Sequence, residues 1–297
     1  MRLVALALLI ASAAFVMYKG LDMGAVARWA AEQQRGFQNQ MAGAVRALRS
    51  GDQGAYGALL AAAGAYGFVH AVGPGHGKYL IGGVGLGAQV PPMRLLGVAL
   101  VSSLAQALWA IALVYGGFWL LEVSAHGVTA LAEDYLSPAS YLAIAAIGLM
   151  LVWRGARTLT GRARSTRAKT APHAHGACGC HAHGPSPDEV ARLGSLRDAA
   201  LLVASIAIRP CTGAIFLLVI AWQMDIRAAG AAAVVVMGLG TAVLTSLVAV
   251  SSVAARGLAL ASAGRMGSAS VAVPALQLAT GIFIIWFSLF LLGYMPR

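Results

Sequence analysis

Long apolar runs, separated by short polar stretches, recur along the whole chain. Each run has about 20 residues, the length that one helix needs to cross the hydrocarbon core of a bilayer. The pattern predicts an all-α, polytopic membrane helix bundle and not a β-barrel, whose strands need only about 10 residues of alternating polarity. The six main runs lie at residues 54–70, 94–121, 139–153, 198–222, 229–254 and 272–293.

Two shorter segments precede the first main run. Residues 3–17 are apolar, and Ala11-Ser12-Ala13 resembles a small-residue cleavage site, so residues 1–18 are either a signal peptide or a membrane anchor. Both alternatives put the following segment outside the cytoplasm. Residues 19–53 mix polar and apolar positions with helical spacing, which predicts a periplasmic amphipathic connector.

Two of the main runs contain residues that break helices. Gly73-Pro74-Gly75 follows the first run, and we expect residues 78–90 to continue as a second half-helix. Pro210 interrupts the run at 198–222. Unwound backbone at membrane depth requires protein or water to satisfy its polar groups, and secondary transporters bind ions at such discontinuous helices. Both breaks are therefore candidate positions for an ion site.

The two breaks occupy equivalent positions in a weak internal repeat. Residues 54–153 and 198–297 each contain three of the main runs. The matched positions are Pro74 with Pro210, Gln106 with Thr241, and Gly148–Trp153 with Gly281–Trp286. Because each set has an odd number of spans, the two sets have opposite orientations, which predicts a 3+3 inverted repeat. In that arrangement His70, His76 and the stretch 209–213 would face one another.

Composition and charge agree with a membrane protein. Of the 297 residues, 59% are hydrophobic and 10% are charged, which is more apolar than a soluble domain needs. The net charge of +11 comes from basic residues between the apolar runs, so we interpret them as topology signals and not as a nucleic-acid-binding surface. By the positive-inside rule, the basic linker at 154–197 is cytoplasmic, the acidic loop at Glu133 and Asp134 lies outside, and the loop at Arg256 and Arg265 lies inside.

His70 and His76 are the first candidates for metal ligands. They flank the Gly-Pro-Gly sequence, and imidazole is a ligand that nickel, cobalt and zinc share. Gly75 and Gly77 leave room for a ligand to approach the backbone. Lys78 is either a topology anchor at the cytoplasmic interface or a gate beside the ion site.

Cys211 and Thr212 are the candidates at the second break. A thiol inside an apolar run is either a small hydrophobe or a soft ligand for nickel or cobalt. Thr212 is either a helix-packing hydroxyl or a further ligand. Pro210-Cys211 also resembles the motif of membrane thiol-disulfide conduits, but that chemistry needs a second membrane cysteine, and the corresponding position here is Gly75.

The linker between the two sets concentrates six potential metal ligands. These residues are His173, His175, Cys178, Cys180, His181 and His183. The tract cannot form a core and lacks the two widely separated ligand pairs of a structural zinc finger. We interpret it as a flexible, histidine-rich metal collector.

Two motifs resemble those of the NicO-type nickel/cobalt transporters, which are related to the nickel/cobalt permeases and the lysine-exporter-like superfamily. The matching sequences are His70-Ala71-Val72-Gly73-Pro74-Gly75-His76-Gly77-Lys78 and Arg209-Pro210-Cys211-Thr212-Gly213-Ala214, joined by the histidine-rich linker. The resemblance covers residues 20–293. It implies a transporter and not an enzyme, with no prosthetic group and with Ni²⁺ or Co²⁺ as substrate. It further implies a multi-pass protein among the lipids of the bacterial inner membrane, with His70 and His76 as substrate ligands.

The resemblance also bears on the direction of transport. The nickel/cobalt permeases are similar in the spacing of the two histidines but carry aspartates between them, where this chain has Gly73 and Gly75. A site without these anionic ligands suits release of the ion, so we favour efflux over uptake. No ATP-binding motif occurs in the sequence, and proton antiport is the simplest energy source. A membrane metal sensor that transports nothing is a further alternative.

Overall fold

The computed structural model is helical throughout most of the residues that it describes, which are 23–72, 76–88, 90–120, 127, 130–168, 196–265 and 269–293. In chain order, its α-helices are α1 (Met23–Arg49), α2 (Gly54–Val72), α3 (His76–Gly87), α4 (Pro92–Leu120), α5 (Ser137–Ala168), α6 (Leu196–Ala207), α7 (Thr212–Gln223), α8 (Arg227–Arg265) and α9 (Ala269–Gly293). A π-helical turn, Leu131–Leu136, leads directly into α5. The signal or anchor segment, the Gly73–Gly75 stretch and the linker histidines lie outside the described residues.

Five helical segments in this part of the chain are long and apolar enough to cross a membrane. They are α2, α4, α5 with its preceding turn, α8 and α9. Helices α6 and α7 make a sixth candidate if they are counted as one span that bends by 59°. These five or six candidate spans confirm the all-α, polytopic class expected from the hydrophobic pattern.

The predicted break at Pro210 is confirmed. Helix α6 ends at Ala207 and α7 begins at Thr212. Proline has no backbone N–H to donate, and its ring clashes with the carbonyl of the preceding turn, so one straight helix cannot pass through this position. The chain instead changes direction and starts a new helix.

Helices α2 and α3 follow one another along α8. Gly67 of α2 packs against Met237, and Gly85 of α3 packs against Ser252, further along α8 in the same direction. Both helices therefore run parallel to α8. The expected second half-helix is α3, and it begins at His76, slightly earlier than predicted.

Helices α6 and α7 follow α4 in the same way. Gln106 of α4 contacts Arg209 at the break, and the Tyr115 ring lies 5.4 Å from the Trp222 ring in α7. Residue numbers again rise together in both partners. Each broken helix therefore packs against the middle helix of the other set of three.

The last helices of the two sets, α5 and α9, pack closely against each other. A Cβ atom on Gly281 would lie 2.7 Å from the carbonyl oxygen of Gly148, and one on Gly148 would lie 3.0 Å from the carbonyl oxygen of Gly281. Small residues let membrane helices approach this closely. The two glycines matched in the internal repeat therefore lie in mutual contact.

Helix α1 forms an antiparallel hairpin with α2. The turn contains Gly51, with a φ of 93°, and the Asp52 carboxylate, which accepts a hydrogen bond from the N–H of Gly54 at 2.9 Å. On the apolar face of α1, Met41 and Val45 are fully buried. The amphipathic pattern of residues 19–53 thus corresponds to a real helix. Its periplasmic location stays a prediction.

Two helices continue further than the hydrophobic pattern predicted. Helix α5 runs beyond Trp153 to Ala168, and α8 runs beyond residue 254 to Arg265. Hydropathy marks where the apolar stretch stops, and not where the helix ends. Arginine, alanine and leucine are good helix formers, so a helix can continue into polar surroundings.

The close crossing of α2 and α8 gives a stability prediction. A Cβ atom on Gly67 would overlap the backbone carbonyl of Met237. We expect Gly67→Ala to destabilise the folded protein by about 1–3 kcal/mol, because backbone atoms must move apart. Thermal unfolding in detergent measures the change. Gly57→Ala on the same helix is the matched control, since no atom lies within 4 Å of its added Cβ. Equal melting temperatures for the two variants would contradict the prediction.

Candidate metal site between the broken helices

A cavity with several polar side chains in a mainly apolar lining lies where the broken helices meet α4 and α8. Its volume of about 60 Å³ has room for a few water molecules. Its polar lining residues are His70, Lys78, Ser102, Ser103, Gln106, Thr241 and Thr245. Among the described residues, no aspartate or glutamate lines it. The polar groups of this largely apolar cavity are therefore neutral side chains and one ammonium group.

A second, smaller cavity of about 20 Å³ adjoins Cys211. It shares Ser103, Gln106 and Thr241 with the larger one. The larger cavity reaches His70, and the smaller one reaches Cys211. Gln106 and Thr241, the pair matched in the internal repeat, thus lie on the boundary between the two spaces.

Neighbouring side chains hold His70 from three directions. Its ring stacks on the Tyr66 ring, one turn earlier in α2, with centroids 5.7 Å apart. Its Nδ1 lies 3.2 Å from Oε1 of Gln34 in α1. The imidazole is also in polar contact with Cys211. These contacts fix the plane of the ring.

Cys211 occupies the position just before α7. Its backbone is extended, with φ −71° and ψ 130°, because the chain has not yet entered the helix that begins at Thr212. The thiol is in polar contact with both His70 and Tyr66. The break at Pro210 therefore brings a sulfur atom next to an imidazole that the other set of helices supplies.

Tyr66 occupies space that a side chain on Gly213 would otherwise fill. A Cβ atom at Gly213 would overlap the Tyr66 hydroxyl. Tyr66 is buried, with only 1% of its surface exposed. Its hydroxyl contacts Cys211 and the side chain of Gln38 in α1. The glycine after Cys211-Thr212 thus lets α2 and α7 come together at the site.

Backbone carbonyl groups at the end of α2 accept hydrogen bonds from a side chain of α3. The Lys78 ammonium donates hydrogen bonds to the carbonyl oxygens of Ala71 at 3.1 Å and Val72 at 2.7 Å. The last carbonyls of a helix have no partners within that helix, and they attract cations. The Lys78 ammonium therefore folds back to the end of α2 and lines the cavity, and its role as topology anchor or gate stays a prediction.

Backbone carbonyl groups just after α6 accept hydrogen bonds from side chains of α4. The Gln106 amide donates to the carbonyl oxygen of Arg209 at 2.6 Å, and the Trp109 indole donates to that of Ile208 at 3.1 Å. The Arg209 guanidinium donates to the Tyr141 hydroxyl and lies over the Tyr141 ring, 5.0 Å from its centroid. Side chains from neighbouring helices thus replace the missing helical hydrogen bonds at this break.

The structure brings together only part of the predicted ligand set. His70 and Cys211 are in contact, whereas the Thr212 side chain is exposed. His76 begins α3, but its side chain lies outside the described part of the molecule. So do the linker ligands His173, His175, Cys178, Cys180, His181 and His183. In the part of the chain that is described, no group of three or more His, Cys, Asp and Glu side chains could hold a metal ion.

Sequence reasoning missed three residues around His70. They are Gln34, Gln38 and Tyr66. Residues 66 and 70 are one helical turn apart, so contact between Tyr66 and His70 could have been anticipated from spacing. The two glutamines carried no such signal, because their contact with α2 depends on the hairpin.

The two donor groups in contact, His70 and Cys211, are of the types that borderline metals prefer. An imidazole nitrogen and a thiol sulfur suit nickel, cobalt or zinc, whereas magnesium and calcium prefer oxygen ligands. Hydroxyl and amide oxygens from α4 and α8 line the adjoining cavities. A metal bound by these two donors would have further coordination positions for water or for residues outside the described set.

Comparisons with known proteins agree with this chemistry. Residues 56–187 match the family model NicO, described as "High-affinity nickel-transport protein". The chain is also 30% identical over 203 residues to a protein of Haemophilus influenzae named "Putative nickel/cobalt efflux system". The aligned region covers 63% of this chain and 63% of the relative's length. No solved structure matches the chain.

The family match includes the first motif, at 70–78, and the histidine-rich linker, but it ends before Cys211. The resemblance to NicO-type transporters is therefore confirmed for residues 56–187, which contain the first motif and the linker, while the second motif lies outside the matched residues.

Proposed function

We propose that this protein moves nickel or cobalt ions out of the cytoplasm across a bacterial inner membrane, through the cavity between the broken helices. The observation that carries the proposal is the contact between His70 of α2 and Cys211 before α7. The two ligands come from opposite halves of the chain. An ion held between them would be sensitive to any movement of one half against the other.

Nickel and cobalt fit the donor set better than hard cations do. Imidazole and thiol together select borderline metals, and the absence of carboxylates among the described lining residues disfavours calcium and magnesium. His76 is the proposed third protein ligand. Thr212 keeps only a peripheral role in the proposal, because its side chain is exposed.

An inverted repeat supplies the proposed means of alternating access. Three features support it: α2–α3 follow α8, α6–α7 follow α4, and Gly148 meets Gly281. A two-fold axis that exchanges the halves would relate each of these contacts to its counterpart or to itself. In such folds the halves rock against each other around a central site.

Efflux is the proposed direction for two reasons. The Haemophilus influenzae relative carries an efflux system in its name. The first motif has Gly73 and Gly75, where permeases with the same histidine spacing carry aspartates, and a site with fewer anionic ligands releases its ion more readily. The linker histidines and cysteines at 173–183 would gather metal on the cytoplasmic side and pass it to His70.

Proton antiport is the proposed source of energy. Histidine and cysteine bind metals only after they have lost a proton, so metal binding and proton binding compete at the same atoms. The described cavity also carries the Lys78 ammonium, held at the end of α2. A divalent ion entering beside this charge is stabilised if protons leave the site at the same time.

The first prediction from this proposed function concerns metal content in cells. We expect loss of the protein to raise cellular nickel or cobalt in metal-supplemented medium, because export stops. Wild-type protein restores the lower content, whereas His70→Ala and His76→Ala do not, since each removes a proposed ligand. Elemental analysis of washed cells measures the content, and His126→Ala, outside both motifs, is the histidine control.

Each other outcome of this experiment contradicts either efflux or the proposed role of His70. Lower metal content in cells without the protein would indicate uptake. Unchanged content would indicate a protein that transports neither metal, such as a sensor. Equal effects of His126→Ala and His70→Ala would remove the special role of the first motif.

The second prediction concerns coupling. In reconstituted vesicles, we expect nickel flux to accelerate when protons move down their gradient in the opposite direction. We also expect nickel moving down its own gradient to drive protons the other way. Metal and a pH-sensitive dye, monitored together, measure both fluxes, and His70→Ala vesicles provide the control. Nickel flux that is independent of the gradient would contradict proton antiport.

A further inference from the structure

Helix α1 reaches the candidate metal site with two amide side chains. Gln34 and Gln38 are one turn apart on α1, and their partners, His70 and Tyr66, are one turn apart on α2. Because the two helices are antiparallel, the pairs lie side by side. The face of α1 that packs against α2 therefore carries two polar contacts, each one helical turn from the other.

The pairs close a polar network around Cys211. Gln34 contacts His70, His70 contacts Cys211, Cys211 contacts Tyr66, and Tyr66 contacts Gln38. The network is anchored at both ends in α1. It includes side chains from α1, α2 and the segment just before α7, which belong to three different parts of the chain.

The atoms that meet between Gln34 and His70 determine which of the two can donate a hydrogen bond. The atoms that face each other are the amide oxygen Oε1 and the ring nitrogen Nδ1, 3.2 Å apart. An amide oxygen can only accept a hydrogen bond, so this pair of atoms forms one only in the tautomer that carries the proton on Nδ1. In a neutral imidazole this leaves the lone pair on Nε2.

Tyr66 makes the same arrangement more rigid. Its ring is stacked on the imidazole at an interplanar angle of 11°, and its hydroxyl is held by Gln38 and Cys211. The imidazole therefore has little freedom to tilt away from Gln34. A flip of the ring would place a carbon opposite the amide oxygen, and the other tautomer would place an unprotonated nitrogen there, so either change would lose the hydrogen bond.

We propose that Gln34 is a positioning residue for the metal site, which holds His70 in the tautomer that presents Nε2 to the ion. The proposal rests on the proposed function, because it assigns Gln34 a role toward a transported metal. Partners that fix the tautomer of a metal-binding histidine commonly contribute 10- to 100-fold to metal affinity. Gln38 supports the same geometry through Tyr66.

Metal affinity of the full-length protein in detergent tests the proposal. His70→Ala defines the part of nickel or cobalt binding that depends on His70. We expect Gln34→Leu to weaken that part by about 10- to 100-fold. Gln34→Glu keeps an oxygen acceptor and is expected to bind within about threefold of wild type or more tightly. Gln40→Leu, an exposed glutamine on the same helix, is the matched control.

A structural role alone would not produce this pattern. If Gln34→Leu binds as tightly as Gln40→Leu, the proposal is overturned. It is also overturned if Gln34→Glu is as weak as Gln34→Leu, because then the acceptor atom does not matter. Thermal unfolding of all variants shows whether loss of affinity follows loss of folded protein.

The tautomer itself provides a readout that needs no metal. Nitrogen NMR shifts of ¹⁵N-histidine-labelled, metal-free protein report which ring nitrogen carries the proton, and His70→Asn identifies the His70 signals. We expect a proton on Nδ1 in wild type and in Gln34→Glu, and a shift toward Nε2 in Gln34→Leu. A wild-type His70 protonated on Nε2 overturns the proposal. Failure of the proposed function would instead appear as wild-type protein without His70-dependent metal binding.

Discussion

The need to satisfy backbone carbonyls at two interrupted helices governs the centre of this molecule. A carbonyl without a partner in a bilayer costs several kcal/mol, so broken helices persist only where other groups replace the lost hydrogen bonds. Lys78 supplies them at the end of α2, and Gln106 supplies one at the end of α6. Polar groups are therefore concentrated where the two breaks meet.

The same constraint explains the proposed site. Each break leaves a side chain on the segment next to it, His70 at one and Cys211 at the other, and both are directed toward the polar interior. The middle helices α4 and α8 add hydroxyl and amide groups from Ser103, Gln106 and Thr241. Helix α1 completes the surroundings with Gln34 and Gln38. The ligands thus depend on all parts of the fold being assembled together.

Three features could be predicted from the sequence: the helical class, the break at Pro210 and the half-helix after the first motif. They depend on the length of apolar runs and on proline and glycine, whose effects on a helix do not require distant residues. Sequence reasoning also matched Gly148 with Gly281, which lie in contact. The continuation of α5 and α8 beyond their apolar runs was not predicted, since hydropathy reports polarity and not helix continuation. The contacts of Gln34 and Gln38 could not be inferred, because they depend on how the α1–α2 hairpin aligns two helices. The contact between His70 and Cys211 was reachable only through the hypothesis of facing repeats.

The central claim is that one nitrogen and one sulfur ligand, from opposite halves of the chain, hold the transported ion. X-ray absorption at the nickel edge tests it most directly, on full-length protein in which Cys178 and Cys180 are replaced by serine, so that Cys211 is the sole thiol of the chain. The account predicts one sulfur scatterer and imidazole nitrogen around nickel, with the sulfur lost in the additional Cys211→Ser variant. A nickel environment of oxygen and nitrogen alone, unchanged by Cys211→Ser, would contradict it.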